Sequence, residues 1–594
     1  MSGRGTHSKT IADLLPRAAE MYGSKVAVKC KEGDRWVDRT FDQVRETVRP
    51  LAFGLVTLGV EKGDRVSILG NTRPEWTYFD YAALSIGATV VPIYQTNSPE
   101  ECRYVLDNSD SKVVVVEDAE QLEKVRAVRD QLPQLEHIVL MTGSAEDAIA
   151  MEDLAAKGGG GDDATWKTLY EAVTPADICT FIYTSGTTGP PKGCIISHGN
   201  YRSMLDMVNG VSVIEDDDVA YLYLPLAHSF ALLIQFGTFD LGTTLAYWER
   251  DPLKILPNLA ELKPSYFPSV PRIFEKIYTA ATSAIEKEGG LKKRVFEWAI
   301  KVGAKMREAE RSGRKPGFLL QRQYDFADKQ VLSKIRGLFG GRIRLAVSGA
   351  APINPEILRF FDAAGVLVLE GWGMTETSTA ATISTPEDFK VGTIGKPFPG
   401  CEVKIADDGE ILVKGPNVFQ GYHKNPEATR ETIVDGWLHT GDIGEVEADG
   451  FIKITGRKKD IIITAGGKNI TPANLEAEIK QQPLVSQCVV VGDRRPYLVA
   501  LVTLDPEEAV KYAQEHNLPE DPAELASNPD VKAAIEAHVE KINQNFARVE
   551  QVKKIAILPH DLSQESGELT PTLKVKRAVV AQKHEDAIEG LYAA

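Results

Sequence analysis

Cysteine is scarce in this 594-residue chain, and Cys30, Cys102, Cys179, Cys194, Cys401 and Cys488 are scattered with no CxxC pair among them. That spacing excludes a disulfide scaffold or a zinc ribbon and fits reduced thiols in a cytoplasmic protein. Long hydrophobic runs are also missing: no stretch reaches the roughly 18 apolar residues of a membrane span. The longest candidate, Tyr221 to Trp248, is interrupted by Pro225, His228, Gln235 and Asp240. The opening MSGRGTHSKT lacks the apolar centre of a secretory signal. Positive charge is short overall, and a net charge of -16 argues against nucleic acid as a partner, so any polyanion must bind locally. Internal repeats and low-complexity tracts are absent.

Hydrophobic residues make up 43% and charged residues 26%, the balance of a soluble globular protein too long for a single core. In the first third, β-branched runs alternate with helical stretches. Arg65-Val66-Ser67-Ile68-Leu69 and Thr89-Val90-Val91-Pro92-Ile93 bracket a helical segment from Trp76 to Ile86, and further runs follow at 112–117 and 136–141. This rhythm predicts an α/β fold with parallel sheets. The glycine-rich stretch 157–162 predicts a surface loop. Residues 270–339 turn helical and charged, with nine Lys or Arg against three Glu between 292 and 315. From 401 to 455, short strands separated by Asp408-Gly409, Asp435-Gly436 and Asp449-Gly450 predict a small β subdomain. The polar run Arg457-Lys458-Lys459-Asp460 reads as a hinge leading to a compact α+β domain. The expected division is therefore a large N-terminal domain, 1–456, of two α/β subdomains with a helical insertion at about 273–338 and a β subdomain at about 401–456; a hinge, 457–460; and a small C-terminal domain, 461–594.

The richest segment is Tyr183-Thr184-Ser185-Gly186-Thr187-Thr188-Gly189-Pro190-Pro191-Lys192-Gly193. Its glycines let backbone approach an anion, its hydroxyls donate to oxygens and Lys192 adds a compact positive charge, so it predicts a phosphate cradle in a loop leaving a strand. It is not a Walker A loop, because Lys192 is followed by Gly193 rather than Ser or Thr.

The cradle resembles the phosphate loop of the adenylate-forming superfamily of acyl-CoA synthetases, luciferases and peptide-synthetase adenylation domains. Further blocks follow in that family's order: Leu224-Pro225-Leu226-Ala227-His228, Ser348-Gly349-Ala350-Ala351-Pro352, Glu370-Gly371-Trp372-Gly373-Met374-Thr375-Glu376-Thr377, Gly436 to Asp442, Thr455 to Asp460, and Thr570-Pro571-Thr572-Leu573-Lys574-Val575-Lys576-Arg577. The resemblance implies ATP, Mg²⁺ and coenzyme A. It places Ser185, Gly186, Thr187, Thr188, Gly189 and Lys192 on phosphate, with Thr184 and Thr375 joining the phosphate contacts and Glu376, with Thr184, at the metal. Gly349, Ala350, Glu370, Gly371, Trp372 and Gly373 would wall the adenine slot. Asp442 would take the ribose with Arg457 assisting. Lys574 would be the catalytic lysine; here Leu573 stands where the family commonly has Gly, and Lys576 is its rival. Lys459 matches the hinge residue, and Gly466, Gly467 and Lys468 would lie on the pantetheine or nucleotide path, although Gly466-Gly467 is equally a turn between strands. His228 would stand at the mouth of the acid pocket, with Phe230, Leu232, Leu233, Ile234 and Phe236 suiting an apolar tunnel.

Two regions resemble long-chain acyl-CoA synthetases in particular: the insertion opened by Val270-Pro271-Arg272-Ile273-Phe274-Glu275-Lys276, and the block from Asp435 to Lys459. They imply a long-chain fatty acid as substrate and coenzyme A as acceptor. The basic stretch 292–315 would then suit anionic lipid headgroups, giving a cytoplasmic protein with peripheral membrane contact, though a solvated helix face is the plainer reading. Oligomeric state is left open, a dimer included. A fatty acyl-AMP ligase serving a carrier protein would need an insertion near the hinge or an attached carrier domain, and a non-catalytic lipid scaffold should have lost Lys192, Glu376, Asp442 or Lys574; neither pattern is seen.

Overall fold

The computed structural model describes residues 4–184, 190–465, 468–570 and 574–593; Ser185, Gly186, Thr187, Thr188 and Gly189 of the cradle, together with Gly466 and Gly467, lie outside the described residues. Two large sheets organise the N-terminal body. In the eight-stranded sheet, Thr89–Ile93, Arg65–Leu69, Ser111–Val116 and His137–Leu140 lie side by side and parallel. Ile178–Thr184 joins beside Thr89–Ile93 and turns back antiparallel into Lys192–Ser197. Their Val- and Ile-rich composition follows from burial on both faces.

The nine-stranded sheet is parallel through Leu367–Trp372, Leu345–Ser348, Tyr266–Ser269, Val219–Leu222, Thr244–Tyr247 and Val26–Glu32, with antiparallel strands at both edges. Helices Pro74–Ser85 and Ser229–Leu241 are buried around nearly their whole circumference. Thr77 donates to Gln235 Oε1 at 2.6 Å, and Gln235 donates to Asp80 at 2.7 Å, so these three buried polar side chains satisfy one another across the two helices. One apolar core takes residues from both sheets and from the β subdomain.

The insertion is helical throughout its main elements, Pro271–Glu288, Gly290–Arg311 and Phe318–Ala327. The β subdomain pairs Glu402–Ile405, Glu410–Lys414, Trp437–Val446 and Ile452–Arg457 antiparallel. At the Asp435-Gly436 turn both residues have positive φ, 50° and 77°, the geometry that selects Asp-Gly in a tight hairpin. The N-terminal core ends at Ile452 and a separate core begins at Ile462, built on the sheet Val485–Val491, Leu498–Leu504 and Val552–Ile557.

One expectation is corrected. The stretch 157–162 is not simply a surface loop, because helix Met151–Gly158 contains its first two residues and packs on helix Phe41–Thr57. Gly158 is buried, and a Cβ there would lie 1.9 Å from the Pro50 carbonyl oxygen; one on Gly161 would lie 1.9 Å from the Phe53 ring. The glycines are there for close approach of two helices as much as for a turn.

Candidate active site

A cleft of about 3550 Å³ opens between the N-terminal body and the C-terminal domain, and residues of both parts line it. At one end Thr184 pairs in register with Lys192 across the hairpin that carries the cradle. Tyr104 donates to the Pro191 carbonyl at 2.9 Å, fixing the loop's returning limb. The Lys192 ammonium lies 5.0 Å from the centre of the Tyr422 ring, and Tyr422 donates to Glu376 Oε1 at 2.7 Å. Thr375 and Glu376 are buried in the short turn Thr375–Thr377 after strand Leu367–Trp372. Beside them Gly373 is required by space, since a Cβ would sit 2.3 Å from the Thr379 carbonyl oxygen.

Asp442 stands at the centre of the cleft, buried and doubly bound. Trp372 Nε1 donates to its Oδ2 and Arg457 Nε to its Oδ1, both at 2.8 Å. Register explains the second contact, because Asp442 and Arg457 are direct partners across strands Trp437–Val446 and Ile452–Arg457. Gly349 and Ala350 follow strand Leu345–Ser348 and line the cleft, Ala350 in the left-handed region at φ 68°, a conformation that costs a residue with a Cβ about 1 kcal/mol. Gly371 lines it too. Glu370 is half-buried; desolvation pushes its carboxyl up to about 7 in spite of hydrogen bonds from the backbones of Gly392 and Ile353.

His228 caps helix Ser229–Leu241, its Nδ1 accepting from the Phe230 N–H at 3.2 Å. Desolvation, with Lys574 nearby, pushes its pKa down to about 3. The ring is therefore neutral, and with Nδ1 accepting, its proton is on Nε2. Phe230, Leu233 and Ile234 line the cleft with Val208, Val213 and Ile214. Leu232 and Phe236, also expected in the tunnel, face the core instead, because the helical period turns them to the opposite side.

Lys574 enters the same space from the C-terminal domain. Thr570 anchors its backbone: the Lys574 N–H donates to Thr570 Oγ1 at 3.0 Å and its carbonyl accepts from the Thr570 N–H at 2.8 Å. The amine meets the cleft's solvent yet is hemmed in by protein, and desolvation and Arg457 lower its pKa while Asp442 and Glu376 pull the other way. Its neighbour Lys576 hydrogen-bonds through its backbone to Glu568, and Arg577 is committed to Glu476. Lys459 lies exposed on the cleft wall, while Lys458 is held by Asp408 at 2.6 Å and Glu410 at 3.1 Å. Lys468 is exposed on the hairpin of Ile462–Ile463 and Asn469–Ile470 and does not line the cleft.

The structure thus gathers Thr184, Lys192, His228, Gly349, Ala350, Glu370 to Glu376, Asp442, Arg457 and Lys574 into one cleft. Sequence reasoning missed Tyr422, which links Lys192 to Glu376; a lone Tyr in Gly421-Tyr422-His423 carries no signal before the fold brings strand Gly421–Tyr422 against Lys192–Ser197. Among the described residues no group of three or more His, Cys, Asp or Glu stands ready to hold a metal, and no helix is long and apolar enough to cross a membrane.

A split α/β body whose cleft receives a hairpin lysine, a buried carboxylate and a lysine supplied by a second domain has the architecture of an adenylate-forming enzyme. The chain belongs to the AMP-binding enzyme family, whose model matches residues 15–423, with the matching C-terminal domain at 459–594. It is 41% identical over 565 residues to the long-chain-fatty-acid–CoA ligase FadD15 of Mycobacterium bovis, covering 94% of this chain and 92% of that one. It is 34% identical to the long-chain-fatty-acid–CoA ligase ACSBG2 of Xenopus laevis, covering 98% and 84%. Among solved structures, the adenylation domain of a carboxylate reductase from Mycobacterium chelonae matches with TM-score 0.80 at 21% identity over 99% of this chain and 92% of that one. A Mycobacterium tuberculosis fatty acyl CoA synthetase matches with TM-score 0.63 at 24% identity over 98% and 99%; both likenesses bear on the fold alone.

Proposed function

We propose that this chain activates a long-chain fatty acid with ATP, forming an acyl-adenylate, and passes the acyl group to coenzyme A with release of AMP. The observation that carries the reading is the convergence of Lys574 with Asp442, Arg457 and Glu376 in a cleft whose acid end holds a neutral His228. The ligase relatives support the substrate class and the acceptor.

In the first half-reaction a carboxylate oxygen attacks the α-phosphorus, the bond to the β-phosphate oxygen breaks, and pyrophosphate leaves. Lys192 and the Thr184 hydroxyl hold the departing phosphates; Asp442, already aligned by Trp372 and Arg457, receives the ribose hydroxyls; and Gly349, Ala350, Gly371 and Trp372 wall the base. His228, with Nδ1 engaged, turns an N–H toward the acid without adding a charge that would hold the carboxylate in its ground state. Lys574 bridges the two anions, and its charge counts most where phosphate oxygens gain negative charge. Mg²⁺ fits as a visitor with ATP: Glu376 offers one carboxylate whose Oε1 is oriented by Tyr422, too few donors for a closed cage, as suits an ion that keeps water and phosphate ligands. Bound there, it would neutralise phosphate charge.

In the second half-reaction the thiol of coenzyme A loses its proton and attacks the acyl carbonyl, and AMP leaves. Lys574 then stands in the way, so the C-terminal domain turns about Lys459, and Lys468, now outside the cleft, moves toward the pantetheine path. A membrane supplies the acid: the basic stretch 292–315 adjoins Leu291, Phe318 and Leu319, which are 76%, 76% and 70% exposed, a pairing of cations and apolar side chains suited to an anionic bilayer.

Pyrophosphate and AMP release measured with palmitate, octanoate and benzoate, with and without coenzyme A, tests the function. Absence of coenzyme A-dependent AMP formation with every fatty acid would refute it. Co-sedimentation with anionic but not neutral vesicles, lost in Phe318→Ser with Leu319→Ser, tests the membrane contact.

A further inference from the structure

Two charged contacts join the small domain to the helical insertion, and the reaction scheme above leaves them unused. Arg272 and Lys276 stand one turn apart at the start of helix Pro271–Glu288, facing the start of helix Pro506–His516 in the C-terminal domain. Arg272 Nη2 lies 2.6 Å from Asp505 Oδ2, and Lys276 Nζ lies 3.1 Å from Glu507 Oε1. Asp505 is not a loose surface carboxylate, since its Oδ1 accepts the N–H groups of Glu507 and Glu508 at 3.1 and 3.2 Å and so caps its own helix. One side chain fixes the helix end and ties that helix to the other body. Its exposure is 12% against 35% for Arg272, so this pair is partly desolvated, while Lys276 and Glu507 lie nearer solvent. Elsewhere, burial raises the Glu478 carboxyl against a hydrogen bond from Gln481, and the like charge of Glu356 adds to the rise.

We propose that Arg272 and Lys276 are positioning residues that clamp the C-terminal domain in the arrangement presenting Lys574 to the acid and the α-phosphate. The proposal rests on the adenylation reading above. Lys574 and the acidic helix start belong to one domain, so the docking that brings Lys574 beside Asp442 also brings Asp505 to Arg272, and any swing that clears Lys574 from the cleft must part both pairs. The clamp thus serves the acyl-adenylate step and works against the thioester step.

The test measures the two half-reactions separately on the full chain: single-turnover acyl-adenylate formation from palmitate and ATP, and thioester formation from supplied palmitoyl-adenylate and coenzyme A. Arg272→Ala with Lys276→Ala should slow the first about threefold to twentyfold, the effect of losing two partly exposed ion pairs, and leave the second unchanged or faster. Asp505→Asn, which retains a capping oxygen, should act the same way more weakly. Lys276→Glu should slow the first step, and adding Glu507→Lys should restore it without touching the Asp505 cap. Equal loss in both steps, no change in the first, or failure of the charge exchange to restore it overturns the proposal. Failure of the underlying reading looks different, because the unaltered chain would then form no acyl-adenylate with any fatty acid.

Discussion

Replacing Lys574 with alanine removes a cation that the cleft's solvent reaches but that protein partly surrounds. Two unit charges 4 Å apart interact by about 1 kcal/mol in bulk water and about 4 kcal/mol near a protein surface. The Lys574 amine belongs to the second regime, because desolvation and then Arg457 lower its pKa although Asp442 and Glu376 are close. Part of that attraction already exists in the ground state, where ATP is an anion, so the differential loss is about 2–3 kcal/mol, or roughly one and a half to two decades in rate. The assay is single-turnover acyl-adenylate formation, compared with thioester formation from supplied acyl-adenylate. The first should collapse in Lys574→Ala, and the second should persist, since the lysine must leave the cleft for it. Lys576→Ala, altering a residue anchored through its backbone to Glu568, should change the first step less than about threefold. In the proposed role the charged amine is the working form, so with its pKa lowered the adenylation rate should decline with rising pH before the ordinary lysine range is reached. Equal loss in both half-reactions, or a Lys576→Ala effect matching that of Lys574→Ala, would refute the reasoning.

Asp442→Ala strands the Trp372 N–H and weakens the hold on Arg457, whose side chain keeps 48% of its exposure, so a stability loss of about 1–3 kcal/mol is expected together with at least a tenfold rise in KM for ATP, read by urea unfolding and initial rates. With the Glu370 carboxyl pushed up to about 7, the folded chain holds this proton more tightly than the unfolded chain does; its contribution to stability is present below the ordinary glutamate range and is lost as pH rises toward 7. Glu370→Gln removes that loss, so the melting temperature of the variant relative to the parent should climb between pH 5 and pH 8, and ATP affinity should lose its dependence on pH near 7. Gly158→Ala drives a methyl into the Pro50 carbonyl and should lower the urea midpoint by about 2–3 kcal/mol equivalent at constant slope, with the half-reactions of the surviving fold unchanged.

Much of the fold was legible because its strands are short, doubly buried and punctuated. The run Arg65–Leu69, the following helix and Thr89–Ile93 declared themselves by β-branched composition and by a helical stretch between them. The Asp-Gly turns marked the β subdomain because positive φ selects glycine and its neighbours. Illegible were contacts that exist only once distant segments meet. Gly158 looked like a loop residue because nothing local records that Phe41–Thr57 passes within an atom's breadth. Tyr422 carried no pattern, yet it orients Glu376 and lies under Lys192. Arg272 stood in the block that opens the insertion, but nothing in the sequence joined it to Asp505, 233 residues away.

The same distinction separates the two ends of the cleft. Nucleotide chemistry is built from backbone geometry and fixed charge, and both leave marks in sequence: glycines where atoms crowd, Asp442 set opposite Arg457 by strand register, Lys192 closing a hairpin. The acid end is built from absence of charge. His228 is neutral because protein surrounds it and a cation lies near, which suits the donor role proposed for it, and which of the apolar residues after it line the cleft is decided by helix phase rather than residue type. Phe230, Leu233 and Ile234 face the cleft while Leu232 and Phe236 face the core, although all five are equally hydrophobic. Substitutions that lengthen or shorten the accepted acid should therefore fall on the first three, and changes at the other two should register as lost stability.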